Sequence, residues 1–376
     1  MKKIIKNTLV LFAAGLVLSS CNDEFMERYP LDRITDQNYW LTENDLQLYV
    51  NAFYPSYVVG LGSGWQDGTV QPRGHNVAGT VYGDVMSDNG APNGYNQYLA
   101  DQYVSYLSAA STGTGYNFTN IRNLNIFIEN YNRSAISQDL KNRYLGEALF
   151  FKAWDYFDKV KTWGEVPWLS RSLQTNSEEL FAPKTPRGAL LDSIVVSLDK
   201  AIQYLPSKGS EANNRINKEM ALFLKMRVGL YEGTFRKYHK LSLDANTFLR
   251  HATNAAEQLM NGGKYSLVQG NHESVYNSLF ATESYTGNPE AILWRQYNAS
   301  LTYGAAFSRY FTQNLRHQFG ATRSLVDEYL CADGLPISNS PLFKGKDNLS
   351  TELQNRDPRL KQTIADFGTY NLATTV

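Results

Sequence analysis

The residues best suited to chemistry fall in one irregular stretch, 56–115, which is rich in Gly, Asn, Tyr and Ser. Trp65, Tyr82, Asp88, Asn89, Asn93, Tyr95, Asn96 and Tyr98 lie within it. A sugar ring offers an apolar face, which a flat aromatic side chain covers, and a rim of hydroxyls, which carboxylates and amides bind. This stretch supplies both kinds of group. Trp65, Tyr82, Asp88, Asn89, Asn93, Tyr95 and Tyr98 are therefore the candidate glycan-binding residues. The blander reading is a loop held to the protein body by its own aromatics. A second aromatic and polar run, 295–311, adds Tyr297, Asn298 and Tyr303 as further candidates. Long irregular segments inside a folded domain are functional or disordered, and so many rings argue against disorder.

Catalytic signals are weak beside these. The chain has no H-E-x-x-H, no G-x-S-x-G and no glycine-rich phosphate loop. Its histidines, at 75, 239, 251, 272 and 317, lack metal-ligand spacing. No cofactor, metal site or catalytic residue is assigned. Asp84 and Asp88 would admit a carboxylate pair of the kind a glycan hydrolase uses, but such pairs arise by chance in any chain of this size. With 36 basic and 36 acidic residues there is no basic field for nucleic acid. The chain has 25 tyrosines, a residue that serves helix packing as well as sugar contact.

Helices must position these loops. In 143–168, Leu145, Ala148, Leu149, Ala153, Tyr156, Phe157 and Val160 recur at three- and four-residue steps, which puts them on one helical face. Phe150, Phe151 and Trp154 widen that face, so the helix is expected to be central and buried on more than one side. The charged residues Arg143, Glu147, Lys152, Asp155, Asp158, Lys159 and Lys161 are expected on its remaining surface. Gly164 and Pro167 end it. Thr42, with Asp45 three residues on, caps a helix that stops at Pro55. Another helix spans 117–131, with Asn125 on its apolar face making a buried hydrogen bond to backbone. Thr185 and Pro186 open a helix that ends at Pro206. Asn217 caps a further one that ends near Gly233. The last of the series starts at Thr247 and stops at Gly262 and Gly263. The expected fold is mainly α, with degenerate tetratricopeptide-like helix pairs in a curved stack. Long irregular loops form its ligand face.

The N-terminus reads as an address. Lys2, Lys3 and Lys6 precede a short apolar core at 9–18, and Leu18-Ser19-Ser20-Cys21 looks like a bacterial lipobox. Residues 1–20 are then a lipoprotein signal peptide, and Cys21 is the lipidation site. Loss of the three lysines takes the formal charge from 0 to −3. Cys331 is left alone, so an internal disulfide framework is ruled out and burial in packing is expected.

Several of these motifs resemble the SusD/RagB family of outer-membrane nutrient-binding lipoproteins. Glu147, Ala148, Phe150, Lys152, Ala153, Tyr156 and Phe157, followed by Gly164-Glu165-Val166-Pro167, match its helix-turn pattern. So do Ile121, Arg122, Asn125, Phe127, Ile128 and Glu129, the run Asn214-Arg215-Ile216-Asn217-Lys218, Asn288 with Glu290, and Arg356-Asp357-Pro358-Arg359-Leu360. The resemblance implies a lipid-anchored, non-catalytic glycan-binding protein on the outer membrane, facing the cell exterior. It implies a SusC-like TonB-dependent transporter as partner, to which captured oligosaccharide is handed. It divides the chain after the signal into N-terminal helices and binding loops (25–135), tetratricopeptide-like helices (139–267) and a loop-rich part (268–376). Family members normally continue past the Arg356–Leu360 segment, so that last part is expected to be incomplete. A plain tetratricopeptide-like scaffold for protein or peptide partners is the alternative.

Overall fold

Ser137 accepts a hydrogen bond from the Leu140 amide and starts the longest helix of the computed structural model. The structure describes residues 39–58, 87–92, 116–209, 215–298 and 319–364. Among these, the helices are α1 (Glu43–Asn51), α2 (Tyr54–Tyr57), α3 (Thr119–Asn130), α4 (Gln138–Trp163), α5 (Arg187–Tyr204), α6 (Lys218–Tyr238), α7 (Ala245–Asn261), α8 (Val275–Phe280), α9 (Arg323–Glu328), α10 (Leu349–Glu352) and α11 (Pro358–Thr363). Strands β1 (Gly90–Pro92) and β2 (Phe319–Ala321) form one short antiparallel ladder. None of these helices is long and apolar enough to cross a membrane.

At about 1.5 Å per residue, the 26 residues of α4 span roughly 39 Å. Helices α1 to α3 pack along one side of it and α5 to α7 stack in series beyond it. The main core runs from Trp40 through Phe127, Phe150, Phe151 and Tyr156 to Phe248. A smaller core of Val326, Leu353 and Leu360 organises the C-terminal helices. The mainly helical, tetratricopeptide-like architecture expected from the apolar periodicity is present.

The surface of α4 differs from the expectation in one respect. Glu147, Lys152, Asp155 and Lys159 are buried with the apolar residues. Each has a partner from another segment or a neighbouring turn, which is what makes a buried charge tolerable. Glu147 accepts two bonds from Arg215, at 3.0 and 2.7 Å, and one from the Tyr54 hydroxyl at 2.7 Å. Asp155 accepts from Tyr57 at 2.8 Å and pairs with Lys159 at 2.7 Å. Lys152 donates to Asn125 at 2.6 Å. Asn125 in turn donates to the Leu169 and Arg171 carbonyls, the backbone role expected of it.

Some helix boundaries also differ. Thr42 and Asp45 form the capping box, but Pro55 opens α2 at its first turn instead of only stopping α1. Pro186, not Thr185, caps α5; Thr185 accepts the Trp168 amide at 2.8 Å. Asp244 caps α7, which begins at Ala245, two residues before the expected start. Gly233 lies inside α6, where the closest approach of α7 requires it. A Cβ there would sit 2.7 Å from the Leu249 side chain, and one at Gly229 would sit 2.6 Å from the Ala252 nitrogen. Residues 288–294 form a turn with no strand, built on Asn288 Oδ1 accepting the Glu290 and Ala291 amides. Cys331 is buried, as expected.

Candidate functional site

The two aromatic and polar stretches singled out above are joined where the structure describes them. Strand β1 lies in the first and pairs with β2, which lies beyond the end of the second and leads into α9, with Gly90 opposite Ala321, Ala91 opposite Gly320 and Pro92 opposite Phe319. Thr322 fastens the end of the ladder. Its amide donates to the Asn89 carbonyl at 2.9 Å, and its hydroxyl bonds the Asp88 carbonyl while capping α9 through the Leu325 amide at 3.1 Å. The backbones of Asp88 and Asn89 are thus held while both residues stay exposed.

A second join lies at the end of α2. Val58, the last described residue before 87, accepts from the Arg295 guanidinium at 3.4 Å. The same guanidinium lies 5.7 Å from the centre of the half-buried Tyr297 ring. Trp294 is half-buried, tilted against Tyr285 at 6.4 Å, with its indole N–H 3.4 Å from the Gln296 side-chain oxygen. Ser284 and Thr286 bond each other at 3.0 Å, and Ser284 lies 3.4 Å from that same oxygen. Here partly exposed rings sit beside amides and hydroxyls.

Of the sequence-predicted residues, the structure describes Asp88, Asn89, Tyr297 and Asn298. Trp65, Tyr82, Asn93, Tyr95, Tyr98 and Tyr303, the pair partner Asp84 and the lipidation site Cys21 lie outside the described residues. Sequence reasoning missed Trp294, Tyr285 and Gln296. Trp294 lies just outside the 295–311 run, and only its partial exposure in the structure brings it into the site.

The buried network on α4 positions these joins. Tyr54 and Tyr57 bracket the segment that ends at Val58, and their hydroxyls are tied to Glu147 and Asp155. Burial, followed by the neighbouring carboxylates, raises both phenols well above the ordinary tyrosine range. Burial likewise pushes the Glu147 carboxyl up, while the Arg215 guanidinium and the Tyr54 hydroxyl pull it down. Arg215 also donates to Asn51 at 2.7 Å, so one guanidinium links α1, α2 and α4.

Arg356 and Arg359 are structural here. Arg356 donates to the Val326 and Tyr329 carbonyls at 2.7 and 2.6 Å, and Arg359 grips Asp357, which caps α11. Only the second of these two arginines pairs with Asp357. No group of three or more His, Cys, Asp or Glu side chains suited to a metal occurs among the described residues. What the arrangement offers is stacking faces and hydrogen bonds.

A family model described as starch-binding associating with outer membrane matches residues 43–230, half of the chain. A SusD-like protein of Formosa agariphila is 23% identical over 235 residues, covering 61% of this chain and 42% of the relative. A second from the same organism is 23% identical over 291 residues, covering 73% and 49%. The chain spans about half the length of these curated relatives. The crystal structure of a SusD-like protein from Bacteroides fragilis aligns with a TM-score of 0.63 at 24% identity, over 89% of this chain and 62% of that one. A SusD-like carbohydrate binding protein from the same species gives 0.64 at 20%, over 86% and 60%. These two likenesses establish the fold. The helical frame and the family match over residues 43–230 lead to one identification: the chain belongs to the SusD-like family.

Proposed function

We propose that this protein is a non-catalytic glycan-binding lipoprotein. It captures oligosaccharide or polysaccharide at the cell exterior and hands it to a SusC-like TonB-dependent transporter in the outer membrane. Cys21 carries the lipid once residues 1–20 are removed, and residues 21–376 form the SusD-like domain. The single observation that carries the reading is the double join. The Arg295–Val58 bond holds together the two stretches whose unusual content is rings, amides and hydroxyls, and the β1–β2 ladder fastens the first of them to the segment that opens α9. Such groups bind a sugar by stacking and hydrogen bonding with no reactive group needed. Asp88, Asn89 and Tyr297 contribute from the described part. Trp65, Tyr82, Asn93, Tyr95, Tyr98 and Tyr303 contribute from the same two stretches.

A glycan array on the chain starting after Cys21 identifies the ligand class. Alanine at Trp65, Tyr95 and Tyr98 together is expected to abolish binding with little change in melting temperature. Retained binding would remove these rings from the site. Hydrolysis of any bound glycan would replace the binding role with an enzymatic one. Co-purification with a large outer-membrane barrel tests the transporter.

A further inference from the structure

A cleft of about 590 Å³ opens between the first turn of α6 and the last turns of α7, and none of its lining residues belongs to either aromatic stretch. Its volume falls inside the roughly 300–1,000 Å³ range of small-molecule sites. Its lining is more polar than such sites usually are, because Leu222 alone among the lining side chains is apolar. The α6 end of the cleft is fixed: Asn217 accepts the Met220 amide at 3.0 Å, and the Pro206 carbonyl accepts the Lys218 amide at 2.9 Å. Glu219 lines the cleft although it is only 6% exposed. The Lys208 amide donates to its Oε2 at 2.8 Å, and its Oε1 has no partner among the described residues. Burying a carboxylate is costly unless its oxygens are bonded, so the open oxygen is an acceptor for whatever fills the cleft.

The charges lining the cleft balance. Glu219 and Glu257 supply carboxylates, Lys218 and Lys264 supply ammoniums, and none of the four is in an ion pair among the described residues. The N-terminus of α6 and the C-terminus of α7 bring opposite partial charges to the same place. An anionic ligand would meet the carboxylates and a cationic one the ammoniums, each at a like-charge cost. The amides of Asn254, Gln258 and Asn261 offer donors and acceptors alike. The ligand that suits carboxylates, ammoniums and amides together is neutral and covered in hydroxyls, because each hydroxyl both donates and accepts. A peptide would bring apolar side chains, and only Leu222 would receive them.

We propose that this cleft is a second sugar site, which takes neutral units of a glycan by hydrogen bonding without ring stacking. The proposal rests on the glycan reading above. It adds a position outside the two aromatic stretches and a charge class for the ligand. The chain that walls the cleft is stitched to the turn preceding Trp294. The Lys208 ammonium donates to the Lys264 carbonyl at 3.3 Å, the Ser266 amide to the Pro289 carbonyl at 3.1 Å, and the Val268 amide to the Glu290 carboxylate at 2.9 Å. Two modest sites on one body hold a polymer more tightly than either does alone.

The test uses the full mature chain with a trifluoromethyl label at Met260→Cys, an exposed position beside Asn261. Cys331 is buried, and an acylated Cys21 has no free thiol. The label is followed by fluorine NMR during titration with maltotriose, laminaritriose and xylotriose, then with trigalacturonate and the glucosamine trimer. At least one neutral trisaccharide is expected to shift the signal saturably, and both charged trimers to act about tenfold more weakly. Asn254→Ala with Gln258→Ala should remove the shift at an unchanged melting temperature. Trp294→Ala with Tyr297→Ala should leave it in place. A silent label on a chain that still binds glycan on an array overturns the cleft and leaves the glycan reading standing. A silent label on a chain that binds no glycan at all overturns both. A charged trimer binding as tightly as the neutral ones, or a shift that survives the loss of Asn254 and Gln258, also overturns the assignment.

Discussion

Lys152 is a cation packed 4.9 Å from the centre of the Trp168 ring and bonded to Asn125. Burial pulls its ammonium down to about 8, against a weaker upward pull from Glu129. Between that value and the ordinary lysine value, the unfolded chain binds the proton and the folded one does not. Stability from this group therefore rises with pH from about 8 to about 10.5, by on the order of 2–3 kcal/mol. Urea midpoints measured at pH 7.5, 9 and 10 should show this rise, and Lys152→Met should lack it. Tyr49 and Tyr144 act in the opposite direction. Burial pushes both to about 12, so the unfolded chain loses these protons first and stability falls above pH 10. Glu147→Ala leaves Arg215 buried without its carboxylate and should cost about 3–5 kcal/mol, read as a loss in urea midpoint. Glu147→Leu combined with Arg215→Met should cost much less. None of this was legible in the residue pattern. A glutamate or lysine within an apolar helical run reads as an outward-facing charge, because its partners, Arg215 and Asn125, come from distant parts of the chain.

Among the elements, α6 and α7 depend on two positions without side chains. Gly229→Ala would drive a methyl into the α7 backbone at Ala252, and overpacking of this kind costs about 1–3 kcal/mol. A lowered melting temperature with unchanged helical circular dichroism would confirm that separation is the cause. Helix existence was largely legible: the apolar periodicity anticipates α1 and α3 to α7, and Thr42 and Asn217 cap where expected. The ends were less so. Pro186 and Asp244 displace the expected caps because Thr185 is drawn to Trp168 and because Asp244 bonds the Asn246 amide. Gly233 resembles a terminator in the sequence, and only its neighbour Leu249 explains it as a contact.

At the scale of the whole molecule, the ladder and the Arg295–Val58 bond connect parts of the chain more than 200 positions apart. No local pattern announces such pairings; they follow from which helices lie side by side. Trp294→Ala with Tyr297→Ala is expected to weaken glycan binding tenfold or more while the melting temperature holds, checked by calorimetry on the ligand found by array. Arg295→Ala should weaken binding less, since it removes a strut and one cation over a ring. The candidate residues were readable as a composition in 56–115 and 295–311, but the neighbourhood of Trp294, Tyr285 and Gln296 needed coordinates. The notch between α6 and α7 bears on how the protein can be shortened. A product ending near residue 243 would lose the partner that fills Gly229 and Gly233, and would leave Arg236 and Phe248's former seat open to water. Limited proteolysis should accordingly spare the junction at 239–244 and stop at a fragment whose last intact helix is α7.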